Sequence, residues 1–407
     1  MHFQLVSKIL PIALCIVMTH LATNIRGDFE TIVGWDDQLF PSYLIATAAV
    51  KDNPSDASEE ILGDQSGLLG ICVVASKDKQ AIKVTVRCDE FLEPSEFTGI
   101  LPLKGEAYSV MPKIRYRFDR LGKCKQATPA SITFEVQIGK SAPTSVNKTV
   151  TFRAISDCPL AVGDEEEMVD LSFTFAAFVN EQHPFVDKLL REALDLGIVD
   201  RFTGYQSRDP SEVIRQVYAL WDLMVARDVR YSSITTTSVD SDAIASQNVR
   251  LLEDSINNTQ ANCVDGSVLF VSMLRKIGIE AKLVLVPGHC YVAFAVDASG
   301  NLLFGLETTM IDTEEEAPDE LPELFDNAVD ESLRRDSSWG SFIGAVDYAT
   351  TQLEETADNF TDEDDMDYQL IDIAAARRNG VLPIPFTSNE EFVSFDYEAY
   401  IEYNSNP

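Results

Sequence analysis

Residues 261–310 read ANCVDGSVLFVSMLRKIGIEAKLVLVPGHCYVAFAVDASGNLLFGLETTM, and this stretch decides the fold. Its first part is typical of a helix, because Asn262 is a good N-terminal cap, apolar residues recur on one face, and Gly278 supplies the usual end. We therefore predict a helix that begins at Cys263. Backbone N–H groups and the helix dipole favour a thiolate over a thiol in the first turn.

Three strands are predicted to follow this helix. They are Ala281–Val286, His289–Val296 and Leu302–Thr308, and a Pro287-Gly288 turn joins the first two. The unit is therefore expected to be a helix followed by an antiparallel meander.

The register of the last two strands follows from their connection. If Gly300 takes the left-handed position of a three-residue hairpin loop, Tyr291 faces Glu307 and His289 becomes the diagonal neighbour of Glu307. Diagonal neighbours lie roughly 7 Å apart, within reach of a long side chain. Asp297 lies about 26 Å from His289 along the same strand, so it is excluded as a partner.

These placements predict a catalytic triad. Cys263 would be the nucleophile, His289 its base, and Glu307 the acid that orients the imidazole. The backbone N–H of Cys263 and the side chain of Gln247 are the two candidates for the oxyanion donor. Cys290 faces the opposite side of its strand from His289, so the two residues do not share a metal ion; no metal or cofactor is expected.

The same segments resemble a known family. Residues 262–281 (NCVDGSVLFVSMLRKIGIEA) resemble the nucleophile helix of the transglutaminase-like superfamily of papain-type cysteine folds, and residues 286–294 (VPGHCYVAF) resemble its histidine strand. The resemblance, to an exported member of bacterial type, implies the same three roles for Cys263, His289 and Glu307. Glu307 is a departure, because the family usually has Asp at this place.

Composition limits the partners of the chain. Its 407 residues include 66 acidic and 32 basic ones, which gives a net charge of −34. Phosphate contacts need clustered Lys and Arg, so nucleic acid and anionic lipid are not expected as partners.

The N-terminus predicts export. Lys8 and the apolar run Ile9–Ala22 are typical of a secretory signal, and the run is shorter than a membrane-spanning helix. We expect residues 1–27 to be a signal peptide and the mature protein to be periplasmic or extracellular. An uncleaved membrane anchor is the alternative.

Residues 28–160 favour strands and predict a β-sandwich-like domain. The predicted strands are Gly70–Ala75 and Ala81–Arg87, expected to form a hairpin, and Lys113–Phe118, Ser131–Ile138 and Thr149–Ile155. Four cysteines of this region, Cys72, Cys88, Cys124 and Cys158, can form two disulfides in an oxidising compartment. Their connectivity does not follow from the sequence.

The remaining chain predicts helices. Residues 161–310 are expected to form the catalytic domain, with helical stretches in 165–196 that include a first-turn Pro184, and a helix capped by Asp209. His183 is expected to be a surface or capping residue. Residues 311–407, with a helix around 342–356, are expected to be an acidic extension that packs on this domain.

The sequence thus predicts an α+β protein in two main domains. We expect Cys263 to attack a carboxamide or peptide carbonyl of a protein or peptide substrate and form a thioester. Hydrolysis is expected rather than crosslinking. The alternative is a catalytically inactive binding or adhesion module on the same scaffold at the cell surface.

Overall fold

The computed structural model describes residues 29–51, 57–163, 168–233, 241–311, 313–314, 322–361 and 365–405. The predicted signal peptide, residues 1–27, lies outside the described residues. None of the helices in these ranges is both long enough and apolar enough to span a membrane.

The strands, in chain order, are β1 (Glu30–Val33), β2 (Gln38–Leu39), β3 (Ile61–Gly63), β4 (Leu69–Val74), β5 (Gln80–Cys88), β6 (Leu92–Leu101), β7 (Ala107–Met111), β8 (Arg115–Tyr116), β9 (Thr128–Ile138), β10 (Thr144–Phe152), β11 (Asp157–Gly163), β12 (Met168–Asp170), β13 (Arg230–Tyr231), β14 (Ile244–Asn248), β15 (Gln260–Ala261), β16 (Ala281–Val286), β17 (His289–Ala295), β18 (Leu303–Leu306) and β19 (Gln369–Asp372).

The α-helices are α1 (Pro41–Ala46), α2 (Phe118–Leu121), α3 (Pro184–Asp195), α4 (Pro210–Ala226), α5 (Leu252–Asn258), α6 (Cys263–Lys276), α7 (Glu323–Asp326), α8 (Trp339–Glu355), α9 (Ile373–Arg378) and α10 (Glu398–Ser405). Short 3₁₀ turns add Ser172–Ala177, Thr308–Met310, Glu331–Leu333 and Asn359–Thr361. The protein combines these helices with several mainly antiparallel sheets, and the α+β class is confirmed.

The chain divides into two compact units. The first contains the described residues up to Ala177, those within Thr237–Asn248, and Arg377–Thr387. The second contains those within Phe178–Thr236, Val249–Ala376 and Ser388–Pro407.

The first unit is built from three sheets with strand orders β1-β4-β7-β3, β2-β10-β9-β5-β6-β8 and β12-β11-β14. In β5, every second residue is buried while those between are partly or fully exposed. This alternation is typical of an antiparallel sheet with one face on the core.

The predicted hairpin of Gly70–Ala75 with Ala81–Arg87 is wrong. The segments form β4 and β5, but β4 pairs with β1 and β7, whereas β5 pairs with β6 and β9. The physical reason is burial: five of the six residues of β4 are buried, while β5 alternates. The two strands therefore need different surroundings, and the chain passes from one sheet to another.

Two other segments also differ from prediction. Lys113–Phe118 alternates in sequence but contributes only the two-residue β8, because α2 begins at Phe118. Among the described residues of 165–196, strand β12 and a 3₁₀ turn precede one α-helix, α3. Pro184 does occupy the first turn of α3, as expected.

The four cysteines of the first unit are free thiols, which corrects the expected disulfides. Each is 6% exposed or less. Cys72, for example, packs with Ile32, Ile61 and Met111. Burial raises the pKa of the Cys72, Cys124 and Cys158 thiols, which lowers their reactivity toward oxidants.

The second unit is centred on the sheet β18-β17-β16-β19, against which α6 packs. Residue pairs such as Val292–Leu306 and Ala295–Leu303 confirm the predicted register of β17 with β18. Gly300 has the expected positive φ of 70°. The predicted bounds of α6, β16 and β17 are confirmed to within one residue.

Burial of the thiols predicts a simple pattern of reactivity. In the folded protein, a disulfide reagent that reports free thiols should react rapidly with Cys263 alone among the six described cysteines, since only Cys263 is more than slightly exposed. In denaturant without reductant, every cysteine should react. A count of thiols that rises only after reduction would show that disulfides are present.

Candidate active site

A capping box fixes the start of α6, where Cys263 is the first helical residue. The Asn262 side chain accepts a hydrogen bond from the Asp265 N–H at 2.8 Å, and the Asp265 carboxylate accepts one from the Asn262 N–H at 3.0 Å. These bonds satisfy two backbone donors at the helix end. They therefore hold the backbone on both sides of Cys263, which is half-buried.

Arg250 also holds the start of this helix, a role that was not predicted from the sequence. Its guanidinium donates to Asp265 Oδ2 at 2.6 Å, and its backbone N–H donates to Asp265 Oδ1 at 2.8 Å. The Asp265 side chain is fully buried, so this charge-assisted pair is shielded from water. An Asp three residues after a cap predicts the box, but nothing in the sequence indicates which arginine reaches it.

His289 and Glu307 are in direct contact. His289 is the first residue of β17, and its Nε2 lies 2.6 Å from Glu307 Oε2. Glu307 follows β18 and caps the Thr308–Met310 turn. The Glu307 side chain is 2% exposed and that of His289 is 32% exposed, so the acid is inside and the imidazole reaches the surface.

Cys263 lies close enough to the same imidazole to interact with it. Because Nε2 is engaged by Glu307, Nδ1 is the ring nitrogen that remains for the sulfur. The interaction with Cys263, and then the hydrogen bond with Glu307, raise the pKa of His289 to about 10, against partial burial. The structure therefore brings the three predicted residues together and favours a protonated imidazole between two acidic groups.

Gly266 allows the Thr308–Met310 turn to lie directly on α6. A Cβ atom at Gly266 would lie 2.7 Å from Thr308 Oγ1 and 3.0 Å from Thr308 Cβ. Thr308 is buried, and its hydroxyl has no hydrogen-bond partner among the described residues. The turn that carries Glu307 thus touches α6 one helical turn after Cys263.

Tyr231 lies beside Cys263 and Glu307. This position was not predicted from the sequence. β13 pairs in parallel with β15, which places Tyr231 opposite Ala261, two residues before Cys263. Local burial raises the pKa of Tyr231, and the nearby Cys263 and Glu307 raise it further, although the side chain is about half exposed. Two-residue strands leave no periodic pattern, so the sequence gives no signal for this pairing.

Three other residues were considered in the sequence analysis. Gln247 is a half-buried residue of β14 in the first unit, where it pairs with Cys158, and its role as oxyanion donor stays a prediction. His183 caps α3 by accepting a hydrogen bond from the Phe185 N–H, and it is buried against Glu253 rather than at the surface. Cys290 is buried, which raises the pKa of its thiol.

Comparison with known proteins relates the part of the chain that contains Cys263 and His289 to a family. Residues 200–300 match the model of the Transglutaminase-like superfamily. This part of the chain is a transglutaminase-like domain. The match includes Cys263 and His289 but ends before Glu307. The family match therefore does not support the assignment of Glu307 to the site, which depends on the structure.

Other comparisons add little to the transglutaminase-like assignment. A candidate cysteine protease from Cytophaga hutchinsonii has a crystal structure that aligns with 58% of this chain and 73% of its own, with 12% identity and a TM-score of 0.21. At that score the likeness supports no conclusion about the fold. No curated protein matches the chain.

The raised pKa of His289 predicts an unusual titration. In NMR spectra of histidine-labelled protein, the His289 ring should titrate near pH 10 instead of near 6.5. The ion pairs of His289 therefore stabilise the fold fully below pH 6.5, and this contribution is lost as the pH rises through about 10. Cys263→Ala and Glu307→Gln should each lower the value. A wild-type titration near 6.5 would contradict the described contacts.

The Gly266–Thr308 contact predicts that Gly266→Ala destabilises the domain. Alanine is better than glycine in a helix interior by about 1 kcal/mol, but overpacking costs about 1–3 kcal/mol, and a contact of 2.7 Å leaves no room. Chemical denaturation should show a lower free energy of unfolding. Thr308→Ala in the same chain should restore part of it. A Gly266→Ala protein as stable as wild type would show that the turn can move away freely.

Proposed function

We propose that the transglutaminase-like domain is a cysteine hydrolase that cleaves amide bonds in proteins or peptides. The observation that carries this proposal is that His289 is in contact with Glu307 and interacts with Cys263. Covalent catalysis on a carbonyl requires three parts. They are a nucleophile, a base in contact with it and a third group that orients the base.

The first step is acylation of the thiol. The Cys263 thiolate attacks the carbonyl carbon, and a carbon–sulfur bond forms while the carbonyl electrons move to oxygen. As the tetrahedral intermediate collapses, the carbon–nitrogen bond breaks and His289 gives its proton to the leaving amine. The high pKa of His289 keeps that proton available at neutral pH. The product is a thioester on Cys263 and a free amine.

The second step is hydrolysis of the thioester. The neutral His289 left by acylation takes a proton from water as the water oxygen attacks the thioester carbon. The carbon–sulfur bond then breaks, which releases a carboxylic acid and restores the thiolate beside the imidazolium. Glu307, buried and hydrogen-bonded to Nε2, keeps the ring oriented through both steps.

Backbone N–H groups at the start of α6 can stabilise the negative charge that forms on the substrate oxygen. The first backbone N–H groups of a helix have no intrahelical partner, and that of Cys263 belongs to this set. A carbonyl attacked by the Cys263 sulfur has its oxygen close to the same residue's N–H. This donor supports the proposal without any contribution from Gln247.

The decisive experiment is alkylation of Cys263 by iodoacetamide at about pH 6. An ordinary thiol with a pKa of about 8.5 is only about 0.3% thiolate there, so an ion-paired thiolate should react about tenfold to a hundredfold faster. Cys263→Ala should abolish the fast labelling. The matched control is Cys290→Ala, which should leave it unchanged because Cys290 is buried.

The same experiment tests the alternative, a catalytically inactive binding module. If Cys263 reacts at about pH 6 no faster than a thiol in an unfolded peptide, the hydrolase proposal is wrong. Fast labelling that persists in Cys263→Ala would instead show that the nucleophile has been wrongly assigned.

A further inference from the structure

The two oxygens of the Glu307 carboxylate have different partners. Oε2 is 2.6 Å from His289 Nε2. Oε1 accepts two hydrogen bonds from Thr309, at 2.9 Å from its backbone N–H and at 2.7 Å from its hydroxyl. The carboxylate is therefore held from both sides while only 2% of the side chain is exposed.

A glutamate needs such a restraint more than an aspartate would. Its side chain has one more rotatable bond, so more conformational freedom is lost when the carboxylate is fixed. The last torsion of the side chain is also broad, which lets the carboxylate plane rotate. Two donors on Oε1 select the rotation that presents Oε2 to His289.

We propose that Thr309 is a positioning residue of the active site: its hydroxyl and N–H fix the Glu307 carboxylate, and through it the ring of His289. Thr309 touches neither the thiol nor a substrate in this role. It acts by limiting how far the acid can rotate, which keeps the imidazolium hydrogen-bonded on the side away from Cys263.

The rest of the turn is anchored independently of the carboxylate. Thr308 packs on Gly266 of α6, and the Glu307 N–H donates to the Ala345 carbonyl of α8 at 3.1 Å. The backbone of the turn therefore stays in place when the Thr309 hydroxyl is removed. A change at Thr309 should affect the direction of the carboxylate rather than the fold.

The inference rests on the proposed function, and its test uses the full chain and the same iodoacetamide probe. The measured quantity is the ratio of the Cys263 alkylation rate at about pH 6 to that at about pH 10. At the higher pH most thiols are ionised whatever their partner. The ratio therefore measures how strongly the ion pair with His289 favours the thiolate at the lower pH. A purely structural defect would lower both rates or neither.

Thr309→Val should lower this ratio about threefold to tenfold, since it removes one hydrogen bond to a charged group and keeps the N–H bond. Thr309→Ser, which keeps the hydroxyl, should stay within about twofold of wild type. The matched control is Thr313→Val, because the Thr313 hydroxyl bonds to the Met310 carbonyl at 3.0 Å and not to the acid. If Thr309→Val does not fold, Thr309→Ala, which adds no bulk, replaces it.

A double-mutant cycle separates positioning from other effects. In the Glu307→Gln background, Thr309→Val should cause little further change, because Thr309 acts through the carboxylate. A wild-type ratio in Thr309→Val, or an equal loss in both backgrounds, overturns the inference and leaves the hydrolase proposal intact. A wild-type protein without fast alkylation at about pH 6 overturns both.

Discussion

The capping box at the start of α6 is the interaction on which the site depends. Asn262 and Asp265 exchange hydrogen bonds across the residue that carries the thiol, and Arg250 holds Asp265 from the other side. Unwinding the first turn would leave the buried Asp265 carboxylate without its partners, which costs free energy. The arrangement therefore opposes local unwinding. The direction of the Cys263 side chain and the exposure of the first N–H groups follow from it.

The segment around the site was largely predictable from the sequence. Helix caps and hairpin turns are local, so Asn262, Gly278 and Gly300 were sufficient to predict α6 and the register of β17 with β18. That register is what brings His289 and Glu307 together. Local rules succeeded here because the helix cap, the hairpin and the turn each involve residues that are close in sequence.

The features that the sequence did not predict depend on contacts between distant segments. Tyr231 approaches Cys263 through a pair of two-residue strands, and Arg250 reaches Asp265 across a loop and α5. In the first unit, β4 and β5 are close in sequence but belong to different sheets, which burial alone decides. The four cysteines there are buried free thiols, which composition alone could not show.

Glu307 lies beyond the end of β18, in a turn, whereas His289 lies in the ladder. The length of the acidic side chain can therefore change during evolution without shifting any strand pair, provided that the turn changes with it. This separation makes the turn a module for redesign. An engineer could exchange the Thr308–Met310 turn together with Glu307 for a shorter acid and its own cap, and leave the β-sheet sequence untouched.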